Sequence, residues 1–381
     1  MSKESESALA LRNKLLVTLG LAAPVLPGCW AFVKCDNPTE TLTLNLDARS
    51  PHSGADTATS DTSSPEDTAA PLTECPTDRD AVQELVYNND QYCQVDELSL
   101  VEQVDRDCTY EVTCWTCCGY GRPYLDREGQ PVSAETERGG AWSGGERWPV
   151  ATALTEQQRA RVGAYWLHNA VAEHSSVAGF LRFALDLLAH GAPPELVARA
   201  QRAAAQELKH AIDCFTLASA YLGEPVGPAP MSLGASAPIA RDLAELAAWT
   251  TRDGAVGETI AAFLAEQALA ATTEPAVRRV LADIVADETE HAALAWATLR
   301  WALSVGGDEV RAAIEGVIDG LGAPQTPPAP WSPELAAHGV PSPDQEPLDA
   351  ALAVQRIIRP VAEALLAEAP PRIATPPSPR A

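Results

Sequence analysis

Basic residues are scarce in this chain, and the shortage narrows the partners it can have. Lys and Arg number 27 against 52 Asp and Glu over 381 residues, for a formal net charge of -25. Phosphate backbones are gripped mainly by Lys and Arg, so the composition argues against nucleic acid. The acidity itself favours solubility and names no ligand. Long apolar runs are lacking as well. The stretch from Leu15 to Leu26 falls short of the roughly 20 residues a membrane-spanning helix needs, so membrane contact is expected only through a lipid anchor. A second Cys-x-x-Cys is also missing. Cys114-x-x-Cys117 therefore lacks the partner motif that would complete a four-thiolate zinc or rubredoxin-like iron site.

What the chain does contain is one pattern written twice, Glu207-Leu208-Lys209-His210 and Glu288-Thr289-Glu290-His291. Residues three apart on an α-helix share a face, so each Glu-x-x-His aims a carboxylate and an imidazole at one point. A lone glutamate precedes each clamp on an earlier helix, Glu173 before the first and Glu258 before the second. The order Glu, Glu-x-x-His, Glu, Glu-x-x-His is the ligand order of di-iron and di-manganese carboxylate bundles.

All six residues interrupt apolar stripes. Glu288 and His291 sit in the helical series Val277, Leu281, Ile284, Ala295, and Glu207 and His210 in the series Leu196, Ala200, Ala203, Cys214, Leu217. Glu173 falls between Ala170 and Val177, and Glu258 precedes Ala261, Ala262 and Ala265. Four carboxylates are thus directed into one core, where unneutralised charge is prohibitively costly. Two divalent cations with two neutral imidazoles balance them. A metal-free bundle is the bland alternative.

The rest of the chain divides around this bundle. Residues 1–28 read as an export signal, with Lys3, Arg12 and Lys14 ahead of the apolar run. Leu26-Pro27-Gly28-Cys29 resembles the bacterial lipoprotein cleavage box, which implies lipidation of Cys29 and a periplasmic or cell-surface location. Pro27 departs from the small residue usual there and leaves ordinary secretion open. Residues 29–74, rich in Ser, Thr, Asp and Pro from Asp36 onwards, read as a disordered tether.

Residues 75–150 form a Cys-rich module. Cys75, Cys93, Cys108, Cys114, Cys117 and Cys118 are expected to pair as disulfides in an oxidising compartment, with connectivity open. Within the module, the turn signal Asp126-Arg127-Glu128-Gly129 suggests a hairpin over 123–148.

Residues 151–305 carry four helices, of which the first starts at a capping box, Thr155 to Gln158. The others are expected over about 194–222, 238–271 and 275–304. The Pro- and Gly-rich connection of about 15 residues between the second and third reaches about 50 Å, enough to cross a helix length of about 45 Å. Residues 306–381 hold further helices over 308–321 and 348–367 and a Pro-rich tail. The fold class expected is mainly α: a four-helix bundle with one long crossover, preceded by a small disulfide module.

On these residues the segment 155–304 resembles the ferritin-like di-iron carboxylate superfamily, which includes rubrerythrins, bacterioferritins and oxygen-activating hydroxylases. The resemblance implies that Glu207 and Glu288 bridge two iron ions, with manganese as the alternative metal. Glu173 with His210, and Glu258 with His291, then complete one position each. It also implies that Asp287 orients His210, with Gln206 at the matching place in the first clamp. Rubredoxin cysteines are absent, and Ala261 stands where rubrerythrins carry an extra glutamate.

The implied partners are dioxygen or peroxide and an unknown small substrate or reductant. The implied activity is oxidoreductase. The other readings are iron capture with ferroxidase activity and a metal-free structural bundle. His174, one residue past Glu173, turns about 100° away from the ligand face and is not expected to ligate.

Overall fold

The computed structural model describes residues 3–21, 39–45, 75–76, 95–104, 107–114, 121–126, 131–143, 154–234, 239–321 and 331–368. It separates into two compact units, Cys35–Cys118 with Pro327–Ala329, and the remainder of the chain.

The smaller unit is a three-stranded antiparallel sheet. Its strands β1 (Thr39–Asn45), β2 (Val95–Val104) and β3 (Asp107–Cys114) are ordered β1-β3-β2. Cys108 and Tyr110, two apart on β3, are both fully buried, as the alternation of a half-buried strand requires. A disulfide ties Cys108 to Cys75 with Cα atoms 5.7 Å apart, and the Tyr110 hydroxyl donates to the Pro76 carbonyl at 2.9 Å.

β1 lies inside the segment expected to be a tether. Its sequence alternates Thr39, Thr41 and Thr43 with Glu40, Leu42 and Leu44, a period-two signal hidden by the surrounding polar composition. Cys29 and residues 46–74 lie outside the described residues, as does the pairing expected of Cys93, Cys114, Cys117 and Cys118.

The larger unit is mainly helical. It opens with α1 (Lys3–Leu19), the stretch that reads as part of an export signal. Leu11, Leu15, Leu16 and Leu19 of α1 are buried in one apolar cluster with Phe263, Trp296, Ile357 and Ile358. No helix among the described residues is long and apolar enough to cross a membrane.

The segment from Gly121 also belongs to this helical unit and not to the Cys-rich sheet. The chain turns back where expected: Leu125 bridges Pro131, and Val132 N–H donates to the Tyr124 carbonyl at 2.8 Å. It does not continue as a local hairpin. The next strand, β4 (Thr136–Arg138), pairs with β5 (Val226–Pro228), which lies in the connection between two helices.

Helix α2 (Glu156–Ala189) starts at the Thr155 capping box, with Thr155 and Gln158 satisfying each other's backbone N–H groups. Gly191, at φ +70°, turns the chain into α3 (Pro194–Leu222), whose left-handed C-cap is Gly223. Then α4 (Leu243–Trp249), a π-helical stretch (Thr250–Glu258) and α5 (Thr259–Ala271) follow without a break. Gly254 and Gly257 lie in the π stretch, a widened helical run that ends on Glu258.

The run turns through a short connection into α6 (Pro275–Gly306). Beyond it, α7 (Asp308–Asp319) buries Val310, Ile314 and Ile318, one helical face. The short α8 (Pro333–Ala336) precedes a last run of α9 (Glu346–Ala353), a π stretch (Val354–Ile358) and α10 (Arg359–Glu368).

Helices α2, α3 and α6 share one apolar cluster around Trp166, Phe215 and Leu281. A second cluster, around Phe180, Phe183 and Leu246, joins α2, α3 and α4 with Leu294 of α6. These clusters fix the inward faces that carry the acidic residues.

Candidate metal centre

Each of the six expected donors stands on a helix whose packing turns it inwards. Glu173 comes from α2, Glu207 and His210 from α3, Glu258 from the end of the π stretch, and Glu288 and His291 from α6. Two groups of donor atoms each converge within 4.8 Å: Glu173, Glu207, His210 and Glu288 in one, and Glu207, Glu258, Glu288 and His291 in the other. Glu207 and Glu288 belong to both groups, so they stand between the two positions. All six residues come together.

The two imidazoles present the same edge to this centre. His291 Nδ1 lies 3.0 Å from Glu207 Oε1 and 3.4 Å from Glu288 Oε2. His210 Nδ1 lies 3.5 Å from Glu288 and 3.7 Å from both Glu173 and Glu207. The far ring nitrogens are held from outside. His210 Nε2 donates to Asp287 Oδ2 at 3.1 Å, and His291 Nε2 to Gln206 Oε1 at 3.2 Å, while the Gln206 amide donates to Asp287. The residue before each clamp's glutamate therefore orients the other clamp's histidine.

Loss of such an outer partner typically costs about 10- to 100-fold in metal affinity. Asp287→Asn is expected to weaken the His210 position by about that factor while the His291 position changes less, measured by equilibrium metal titration. Glu290→Gln, on an exposed residue of the same helix, should match the wild type. Equal titration curves for the two variants would remove Asp287 from this role.

Burial sets the proton inventory. It drives the Glu173 carboxyl well above its ordinary range, with Glu207 adding to the effect. Burial also drives Glu258 upward, reinforced by Glu288 and opposed by Arg122. Burial disfavours charge on His210 and His291 too, but the surrounding carboxylates outweigh it. His210 is raised well above normal and His291 to about 10. Glu207 and Glu288 feel the same burial, yet contact with both rings holds them ionised and below the usual carboxylate range. Without metal the shifts thus favour charged rings facing charged Glu207 and Glu288, with Glu173 and Glu258 drawn towards the neutral acid, a balance of opposite charges.

That balance leaves hydrogen-bonding capacity unused. Glu207 Oε2, Glu288 Oε2, both oxygens of Glu258 and both histidine Nδ1 atoms are buried without a hydrogen-bond partner. Unsatisfied buried polar atoms are rare and costly in folded proteins. Here they converge, in two groups, as a nitrogen and carboxylate donor set of the kind that can hold a metal ion.

His174 does not join them. Its ring packs edge-on against Trp142, with centroids 4.8 Å apart. Cys214 is a buried free thiol one turn past His210, held protonated by burial.

Nothing in the sequence singles out Arg122. Its guanidinium is 1% exposed and stacks 3.9 Å from the centroid of the Phe183 ring. Asp253 and Glu258 offset the burial of its charge. Arg182, Asp186 and Asp253 form an adjoining buried ionic group, with Arg182 3.7 Å from Asp186 and 4.0 Å from Asp253. No motif marks these residues, because an arginine in a Gly-Arg-Pro turn reads as surface.

The chain was compared with protein-family models, curated proteins and solved structures, and it matches none of them.

Proposed function

We propose that this protein is a ferritin-like di-metal carboxylate oxidoreductase that holds two iron ions, or manganese in their place, and reduces dioxygen or peroxide. The observation that carries the reading is the set of unpartnered donor atoms converging from four helical segments, with Glu207 and Glu288 common to both groups. Glu173 and His210 would complete one position, and Glu258 and His291 the other. Two adjacent irons would supply one-electron redox steps and open positions for both oxygens of a small oxidant.

The chain's own part is positioning and proton handling. Asp287 and Gln206 fix both rings so that Nδ1 faces the centre. Glu173, at 18% side-chain exposure, lies nearest to solvent. Burial raises its proton affinity in the metal-free centre, so it takes up a proton there and gives it up when metal enters. Export belongs to the same proposal, supported by the Leu26–Cys29 box and by the Cys75–Cys108 disulfide, a bond that persists in oxidising compartments.

A second reading, iron capture with ferroxidase activity and no organic substrate, draws support from the close packing of Phe180 against His291 and of Gly121 against Glu258. One experiment addresses both. Protein loaded anaerobically with iron(II) is mixed with dioxygen or peroxide while absorbance and oxidant are followed. Oxidant use faster than with free iron, accompanied by a new near-ultraviolet or visible band, is expected. Turnover with an added reductant indicates the oxidoreductase, and a single stoichiometric round indicates capture. No band and no oxidant use above free iron would sink both readings.

A further inference from the structure

The two halves of the centre are not equally covered. Gly121, Arg122, Tyr124 and Leu125 form a buried strap laid across α2 and the π stretch. It is docked on α2, where the Ser175 hydroxyl accepts from Tyr124 N–H at 3.1 Å and donates to the Val132 carbonyl at 2.6 Å. Its approach demands glycine on both sides. A side chain at Gly179 would collide with the Arg122 carbonyl, and one at Gly257 would come within 2.5 Å of the Gly121 carbonyl. Gly121 itself has φ +116°, a conformation that side-chain-bearing residues rarely adopt. A Cβ there would lie 3.7 Å from Glu258 Oε2 and 3.9 Å from Ser176 Oγ. The strap backbone is therefore the layer directly over the Glu258 carboxylate.

Arg122 pins this layer from inside. Its guanidinium passes beneath Gly254, stacks on Phe183 and Phe180, and neighbours Asp253 and Glu258. Glu258 is 1% exposed as a result, whereas the Glu173 side chain is 18% exposed.

We propose that the Gly121–Tyr124 strap is a fixed cover over the Glu258–His291 half of the centre, so that metal ions and small oxidants enter and leave through the Glu173–His210 half. It follows that the two ions exchange at different rates and that a bulky reagent reaches only the outer one directly. The inference rests on the two-metal reading and adds an order of access to it.

The test uses the full-length protein loaded with cobalt(II) and challenged with the chromogenic chelator 4-(2-pyridylazo)resorcinol. Wild-type protein is expected to release one ion quickly and the second at least about tenfold more slowly. Arg122→Ala should accelerate the slow phase about tenfold while stoichiometry stays at two. Gly179→Ala provides an independent route. The new methyl group displaces the strap, no ionic group is lost, and alanine favours the helix; the same acceleration is expected.

If the chain binds no cobalt, the two-metal reading itself fails. If it binds two ions and releases both at one rate, the cover does not exist. A slow phase unchanged in Gly179→Ala overturns the proposal even where Arg122→Ala does not fold.

Discussion

Replacing Glu288 with alanine is expected to abolish tight metal binding at both positions, whereas Glu258→Ala removes one ion and leaves the other. The asymmetry follows from membership. Glu288 and Glu207 donate to both groups of converging atoms, and Glu258 to one. The metal-free fold should tolerate the change. Glu288 holds charge on His210 and His291, and without it a ring can lose its proton and remain buried as a neutral group. The effect appears in the metal-bound state. A ligand present at about 1,000 times its dissociation constant stabilises the folded state by about 4 kcal/mol. Wild-type protein should show a metal-induced rise in Tm that reflects this stabilisation, and Glu288→Ala none. An unchanged rise in Glu288→Ala would mean that the metal binds elsewhere.

Metal affinity should climb steeply with pH, while the stability of the metal-free protein falls. Four groups carry raised proton affinities in the folded state: Glu173, Glu258, His210 and His291, the last at about 10. A group whose folded value lies above its unfolded value contributes stability that is complete below the unfolded value. That contribution is lost as pH rises through the folded one. The metal-free protein should therefore weaken from about pH 4.5, where Glu173 and Glu258 begin to act, and further from about pH 6.5 towards pH 10, where the two histidines act. Glu207 and Glu288 are lowered, so their contribution is lost only in acid.

Two cations entering the centre displace protons from the four raised groups, at most two per ion, so affinity should rise by up to about two orders of magnitude per ion for each pH unit. The gain in Tm on metal addition should then widen from pH 6 to pH 9. Proton release measured in weakly buffered solution gives the same number independently. Metal uptake without proton release would contradict the inventory of bound protons.

The donors were legible in the sequence because helical period and charge conflict there. Glu207 and Glu288 interrupt apolar stripes that otherwise bury Ala203, Cys214, Leu281 and Ala295, and a buried acid requires a neutralising partner. The capping box at Thr155 was legible for the same local reason. What escaped reading depends on contacts distant in sequence. Arg122 looks like a turn residue until Gly179, Gly254 and Gly257 are seen to open a slot for it. β4 finds its partner in β5, about 90 residues away, so the local turn at 126–129 could not supply its register. The apolar run at Leu15 suits both an export signal and a buried helix face, since the two share one composition. Thr39–Asn45 shows the opposite case, a period-two pattern outweighed by a polar neighbourhood.

The most direct test of the central claim is the stoichiometry of metal bound by the purified full-length chain. Protein loaded anaerobically with iron(II), or with cobalt(II) as a spectroscopic substitute, is freed of excess metal and analysed for metal per chain. Two ions per chain in the wild type are expected, one in Glu258→Ala and none in a Glu207→Ala, Glu288→Ala double variant that remains folded by circular dichroism. Binding of fewer than two ions by the wild type, or equal binding by the folded double variant, would contradict the claim that these six side chains form a two-metal centre.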